Sequence, residues 1–233
     1  MKNKWTIISL FTLVGIMGGY LVGLNTAANP PVPVPDPSVL VIALTIQTGV
    51  LTFLLSLAGW SLVKRTELSL WKKSGWKAAL ISGIVVGLIL QGSDRLLFTA
   101  LIPELEGLSS SFSFQALLMG LFYGGVVEEV MMRFFLMSLI IFILTKIRKR
   151  KDLSDGAYWV AISITALLFA VGHFPANIML FGELSPVVTI RALLLNGIGG
   201  IVYGYLFWRY GLVFSIAAHM MTHVTMQFVM LIL

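Results

Sequence analysis

Apolar residues run almost unbroken from Trp5 to Leu24, from Ser38 to Val63, from about Ala78 to Phe98 and from about Phe112 to Leu144. Three more such runs follow, beginning near Ala157, near Val188 and just after Gly211. Each is long enough, at roughly 20 residues, to cross the hydrocarbon of a bilayer as a helix. Backbone groups placed there find no water, so runs of this length satisfy their hydrogen bonds internally. With 58% hydrophobic and only 11% charged residues, the chain lies far outside the soluble globular range. The expected fold is all-α: a polytopic transmembrane helical bundle of about seven spans, six to eight being the range.

The net charge of +6 raises the question of a nucleic-acid partner, and its distribution answers it. Of 16 Lys and Arg, 12 fall in three short segments: Lys2 and Lys4; Lys64, Arg65, Lys72, Lys73 and Lys77; and Lys146, Arg148, Lys149, Arg150 and Lys151. Basic loops between apolar runs mark the cytoplasmic side. The charge therefore reports topology and contact with the lipid bilayer, with no nucleic acid required, and it sets the N-terminus in the cytoplasm. Asn25 to Pro37 carries five of the eight prolines and no base, so it reads as an extended external loop. Leu68, Leu70, Trp71 and Trp76, set among lysines, predict a segment lying at the headgroup level. The adjacent Asp94 and Arg95 read as an interfacial helix end. The absence of cysteine excludes a disulfide framework, a thiolate metal site and a cysteine nucleophile.

Span four breaks the apolar pattern. Glu128, Glu129 and Arg133 lie inside it, and a charge near the middle of a membrane helix costs roughly 2.5–3.5 kcal/mol on insertion scales. Glu129 and Arg133 are four apart with the acid first, the favourable order for an ion pair along one helix face. Glu128 is turned about 100° away from that face. Gly124 and Gly125, one turn earlier, leave room beside its carboxylate for a water or a substrate backbone. Glu128 is thus the candidate general base.

All three histidines also lie in apolar spans: His173 in span five, close to Pro175 where the helix should break, and His219 and His223 in span seven, four apart on one face. Two mechanisms are open. In the metallo-type, His173, His219 and His223, or Glu128, hold a divalent metal such as zinc that activates water. In the glutamate-type, which needs no cofactor, Glu128 with His173 deprotonates water and His219 with His223 stabilises the oxyanion. His-x-x-x-His here lacks the intervening Glu of the zinc-peptidase motif, and no Gly-x-Ser-x-Gly arrangement competes.

Glu128-Glu129-x-x-x-Arg133, then Phe169-x-x-x-His173, then His219 shortly after the stretch Gly204 to Gly211, together resemble the CPBP group of intramembrane proteases, related to the Rce1-type CAAX prenyl endopeptidase. The resemblance runs over roughly Gln115 to Leu233. It implies that Glu128 activates water, that His173 assists, and that His219 with the residue four later forms the oxyanion site. Glu129, Arg133 and Phe169 take supporting roles. One departure stands out: the family usually has Asn, sometimes Asp, at the position occupied here by His223. Neutral imidazole still donates one hydrogen bond, and it adds a possible metal ligand.

The domain expectation is accordingly N-terminal helices and loops over 1–111 and a protease core over 112–233. The expected activity is endopeptidase cleavage of a membrane protein or peptide substrate in a multi-pass protein of a bacterial plasma membrane. A prenylated CAAX substrate follows only from the related eukaryotic enzymes, and bacterial members resemble processing or bacteriocin-immunity factors. Two alternatives compete: a non-catalytic membrane partner or immunity protein of the same fold, and an ion-coupled transporter using the Glu and His groups as a relay. The transporter reading expects paired repeats, which the sequence does not display.

Overall fold

Among the described residues every regular element is helical. The computed structural model describes residues 3–28, 30, 35–108 and 112–232; Lys2 and residues 31–34 of the proline-rich loop lie outside them. Seven helices are long and apolar enough to span a membrane: α1 (Lys4–Ala28), α2 (Ser38–Val63), α3 (Trp76–Phe98), α4 (Phe114–Arg148), α5 (Asp155–Phe181), α6 (Pro186–Arg209) and α7 (Leu212–Ile232). The chain is a multi-pass, all-α membrane protein. Helix ends follow local chemistry. Asp36 accepts from the Ser38 backbone N–H at 2.9 Å at the start of α2, and the Ser38 side chain and backbone hold its carboxyl below the usual range. Ser185 Oγ accepts from Val188 N–H before Pro186 opens α6. At the far end of α4, Lys149 turns left-handed at φ 52° after a basic last turn.

Two compact units emerge. The first comprises 1–69 and 114–153, and so holds α1, α2 and α4. Phe11 of α1 meets Phe134 of α4 edge-on at 6.0 Å. Thr12, Thr45 and Thr52 return their hydroxyls to the carbonyl four residues back, which removes these polar groups from lipid. About half of α4 is not regular α-helix. Gly120–Glu128 and Val130–Met137 are wound as π-helix, with backbone bonds reaching five residues, an uncommon geometry that concentrates at functional sites. The regular α-helical turn expected around Glu128 is corrected accordingly. The widened turn still lets Glu129 meet Arg133.

The second unit comprises 70–113 and 154–233, and so holds α3, α5, α6 and α7. α3 packs on α7, where the Thr222 hydroxyl donates to the Gly83 carbonyl at 3.2 Å. α5 and α6 are joined by stacking of Tyr158 on Trp208 at 4.8 Å and by an Arg209–Asp155 ion pair at 3.0 Å. The tight turn into α7 needs Gly211: its φ of 117° excludes an L side chain, and a Cβ there would sit 2.7 Å from the Leu70 carbonyl oxygen. Trp71 and Trp76 clamp Phe214, with ring centroids 4.6 and 5.2 Å away, while roughly half of each indole stays exposed. Amphipathic indoles of this kind suit the headgroup region. For Asp94, read from sequence as part of an interfacial helix end, the structure adds a protein partner. Asp94 is buried, and it takes a two-pronged ion pair from Arg191 of α6, at 2.7 and 2.6 Å. A base inside span six had not been paired with it from sequence.

Candidate active site

The first unit supplies the acids. Glu129 and Arg133 form an ion pair, Oε1 to Nη1 at 2.9 Å, with both side chains fully buried. Desolvation of two charges is compensated here by mutual attraction and a charge-assisted hydrogen bond. Glu128 closes the first π-helical stretch and is only partly buried. The buried pair and the more accessible acid therefore differ in environment, which is the distinction needed between a structural and a reactive carboxylate.

The second unit gathers the histidines. In α5 the regular helix stops at Gly172 and resumes at Phe174, with His173 at the break. Pro175 has no N–H to bond the carbonyl four residues earlier, so the ladder is cut where the sequence indicated. His173 Nδ1 lies 2.8 Å from the Phe169 carbonyl. A carbonyl only accepts, so Nδ1 is the donor in this contact; in the neutral ring that leaves Nε2 as the acceptor. Phe169 also meets the His173 ring at 4.7 Å and the His219 ring at 6.0 Å, both edge-on. It links α5 to α7 by ring contact. His219 and His223 stack at 5.1 Å and 17°.

Tyr203 of α6 extends that stack on the other side of His219, at 4.4 Å and 19°. Its hydroxyl donates to Thr222 Oγ1 at 2.7 Å, and its carbonyl accepts from Ser215 Oγ at 2.9 Å. Sequence reasoning missed Tyr203, since an aromatic in an apolar span carries no local signal of the ring it will face. The sequence singled out Glu128, Glu129, Arg133, Phe169, His173, His219 and His223. The structure joins Glu129 with Arg133 in one unit and Phe169 with the three histidines in the other.

A shared metal ion sets a strict demand on the histidine rings. Zinc sits in the plane of each ligating imidazole at about 2.0–2.1 Å from nitrogen. The nearly parallel rings of His219 and His223 aim their nitrogens along separate planes, so the pair does not fit a shared ion. Among the described residues no group of three or more His, Asp or Glu is placed to hold one.

These features define a class: multi-pass helical membrane proteins that carry a small set of ionisable side chains at interior helix positions. Within that class the chain belongs to the Rce1-like family, described as type II CAAX prenyl endopeptidase Rce1-like, which matches residues 109–225. The matched stretch is just over half of the chain and contains every residue from Glu128 to His223 named above. Neither a curated protein nor a solved structure matches.

Proposed function

We propose that the chain is an intramembrane endopeptidase that hydrolyses a peptide bond of a membrane-associated protein or peptide by glutamate-activated water. The family match over Glu128, His173 and His219 together carries this reading. In the proposed reaction the Glu128 carboxylate removes a proton from water, and the resulting hydroxide adds to the scissile carbonyl. His219 and His223 donate hydrogen bonds to the oxyanion, a type of stabilisation worth about 2.7–4 kcal/mol per donor. The proton held by Glu128 then passes to the departing amine, and the C–N bond breaks to leave a carboxylate and an amine. His173, with its proton held on Nδ1 by Phe169, presents Nε2 as the assisting acceptor. Glu129 and Arg133 support α4 through their buried ion pair.

The contact of His173 Nδ1 with the Phe169 carbonyl supports a role for Nε2 as an acceptor, and the partly buried state of Glu128 supports access by water. His223 Nε2 has no hydrogen-bond partner among the described residues, which suits a donor reserved for substrate. The protease core is assigned to 112–233 and the cytoplasmic side to the basic loops; a bacterial plasma membrane fits the short connections. Incubating the purified protein in lipid with a library of membrane peptides, and identifying products by mass spectrometry, tests the proposal. Fragment pairs whose masses sum to the parent plus one water support hydrolysis. A library that spans diverse transmembrane and juxtamembrane sequences and stays intact counts against it.

A further inference from the structure

We infer that Asn177, clamped by the Arg191–Asp94 ion pair, is a positioning residue for His173; the inference rests on the proteolytic reading above. The His173 carbonyl accepts twice from Asn177, from the side-chain Nδ2 at 2.7 Å and from the backbone N–H at 3.0 Å. Because Pro175 cuts the helix ladder beside His173, this carbonyl is a principal fixed point of the broken turn. Holding it fixes the Cα–Cβ direction of His173 and keeps Nδ1 within reach of the Phe169 carbonyl.

The amide itself is held from behind. Arg191 Nη1 lies 3.4 Å from Asn177 Oδ1, which orients the amide so that Nδ2 faces the His173 carbonyl. Arg191 in turn is locked by two bonds to Asp94, Nε to Oδ1 and Nη2 to Oδ2. Asn177 and Asp94 are each more than nine-tenths buried. The chain Asp94, Arg191, Asn177, His173 thus crosses from α3 through α6 to α5 inside one unit. A device for packing alone would be served as well by apolar residues, because a buried ion pair returns little net stability. A planar, two-pronged pair offers fixed orientation, and here that orientation ends at the turn carrying a site histidine.

The test uses the full chain in lipid nanodiscs, labelled with ¹⁵N at its histidine rings. With three histidines, each ring is assigned by single replacement. Wild type is expected to show His173 protonated at Nδ1. Asn177→Ala is expected to give a mixed His173 tautomer with unchanged His219 signals, and kcat lower by about tenfold with KM within about twofold, since small misplacements of a reacting group act on kcat. Asn177→Ser should recover both readouts. Its hydroxyl can donate four residues back, as Thr165 does to Ala161 at 2.9 Å. A wild-type His173 spectrum in Asn177→Ala overturns the inference, whether or not stability falls. A mixed spectrum in Asn177→Ala, together with a wild type that cleaves nothing, upholds the positioning and counts against the proteolytic reading.

Discussion

Replacing Glu129 by Ala should be the most destabilising single truncation of a charged side chain in this molecule. Glu129 and Arg133 are both fully buried and share a 2.9 Å hydrogen bond within one helix. Removing the acid leaves a guanidinium in an apolar interior with its main counter-charge gone, and such changes cost about 3–5 kcal/mol. At about 1.4 kcal/mol per factor of ten, that is a shift of roughly two to three and a half orders of magnitude in the unfolding equilibrium. Replacing both residues with apolar side chains, Glu129→Met with Arg133→Met, removes the unpaired charge and should cost much less than the single change. The measurement is reversible unfolding in mixed micelles of increasing dodecyl sulfate content, run as a double-mutant cycle. A coupling energy of several kcal/mol, with the double variant more stable than Glu129→Ala, is expected. A Glu129→Ala protein within about 0.5 kcal/mol of wild type would refute the assignment of this pair as a buried ion pair.

Two further changes test how the histidine unit is packed. Gly83→Ala places a Cβ 2.5 Å from the Ala218 carbonyl oxygen, so α3 and α7 must separate, at a cost of about 1–3 kcal/mol; Gly92→Ala on the same helix meets nothing within 4 Å and should be neutral in the same unfolding assay. Tyr203→Leu removes the ring stacked 4.4 Å from His219, an interaction worth about 0.5–1.5 kcal/mol, and should lower kcat more than Tyr203→Phe, which keeps the ring and loses only the bond to Thr222. Equal kcat in the two Tyr203 variants would mean that the stack does not orient His219.

The helices were legible because bilayer thickness imposes a length that soluble helices do not obey. Span two falls at Ser38–Val63 as read from sequence, and span three ends at Phe98 as expected. The break at His173 was legible too, since proline leaves one backbone carbonyl without its donor. The π-helical winding of α4 was not. It depends on where neighbouring helices hold the chain, and Gly120 to Met137 has no proline to announce an irregular turn. Glu129 and Arg133 declared themselves by charge and spacing. Asp94 also carried a charge into an apolar run, but its partner Arg191 is 97 positions away, and helix periodicity reports neighbours only within a turn or two. Asn177 and Tyr203 were invisible for a related reason: their importance lies in what they touch across helices.

The central claim, that Glu128 activates the attacking water, is tested most directly by comparing wild type with Glu128→Gln on one cleaved membrane peptide, each with and without a strong divalent-metal chelator. Glutamine keeps the size and hydrogen-bonding capacity of the side chain and loses the basic carboxylate. The account predicts that wild type cleaves equally well with and without chelator, and that the folded Glu128→Gln protein falls by at least about a hundredfold, the lower range of a general base's contribution. Cleavage by Glu128→Gln at the wild-type rate would contradict the assignment of the base, and loss of wild-type cleavage in chelator would contradict the metal-free mechanism.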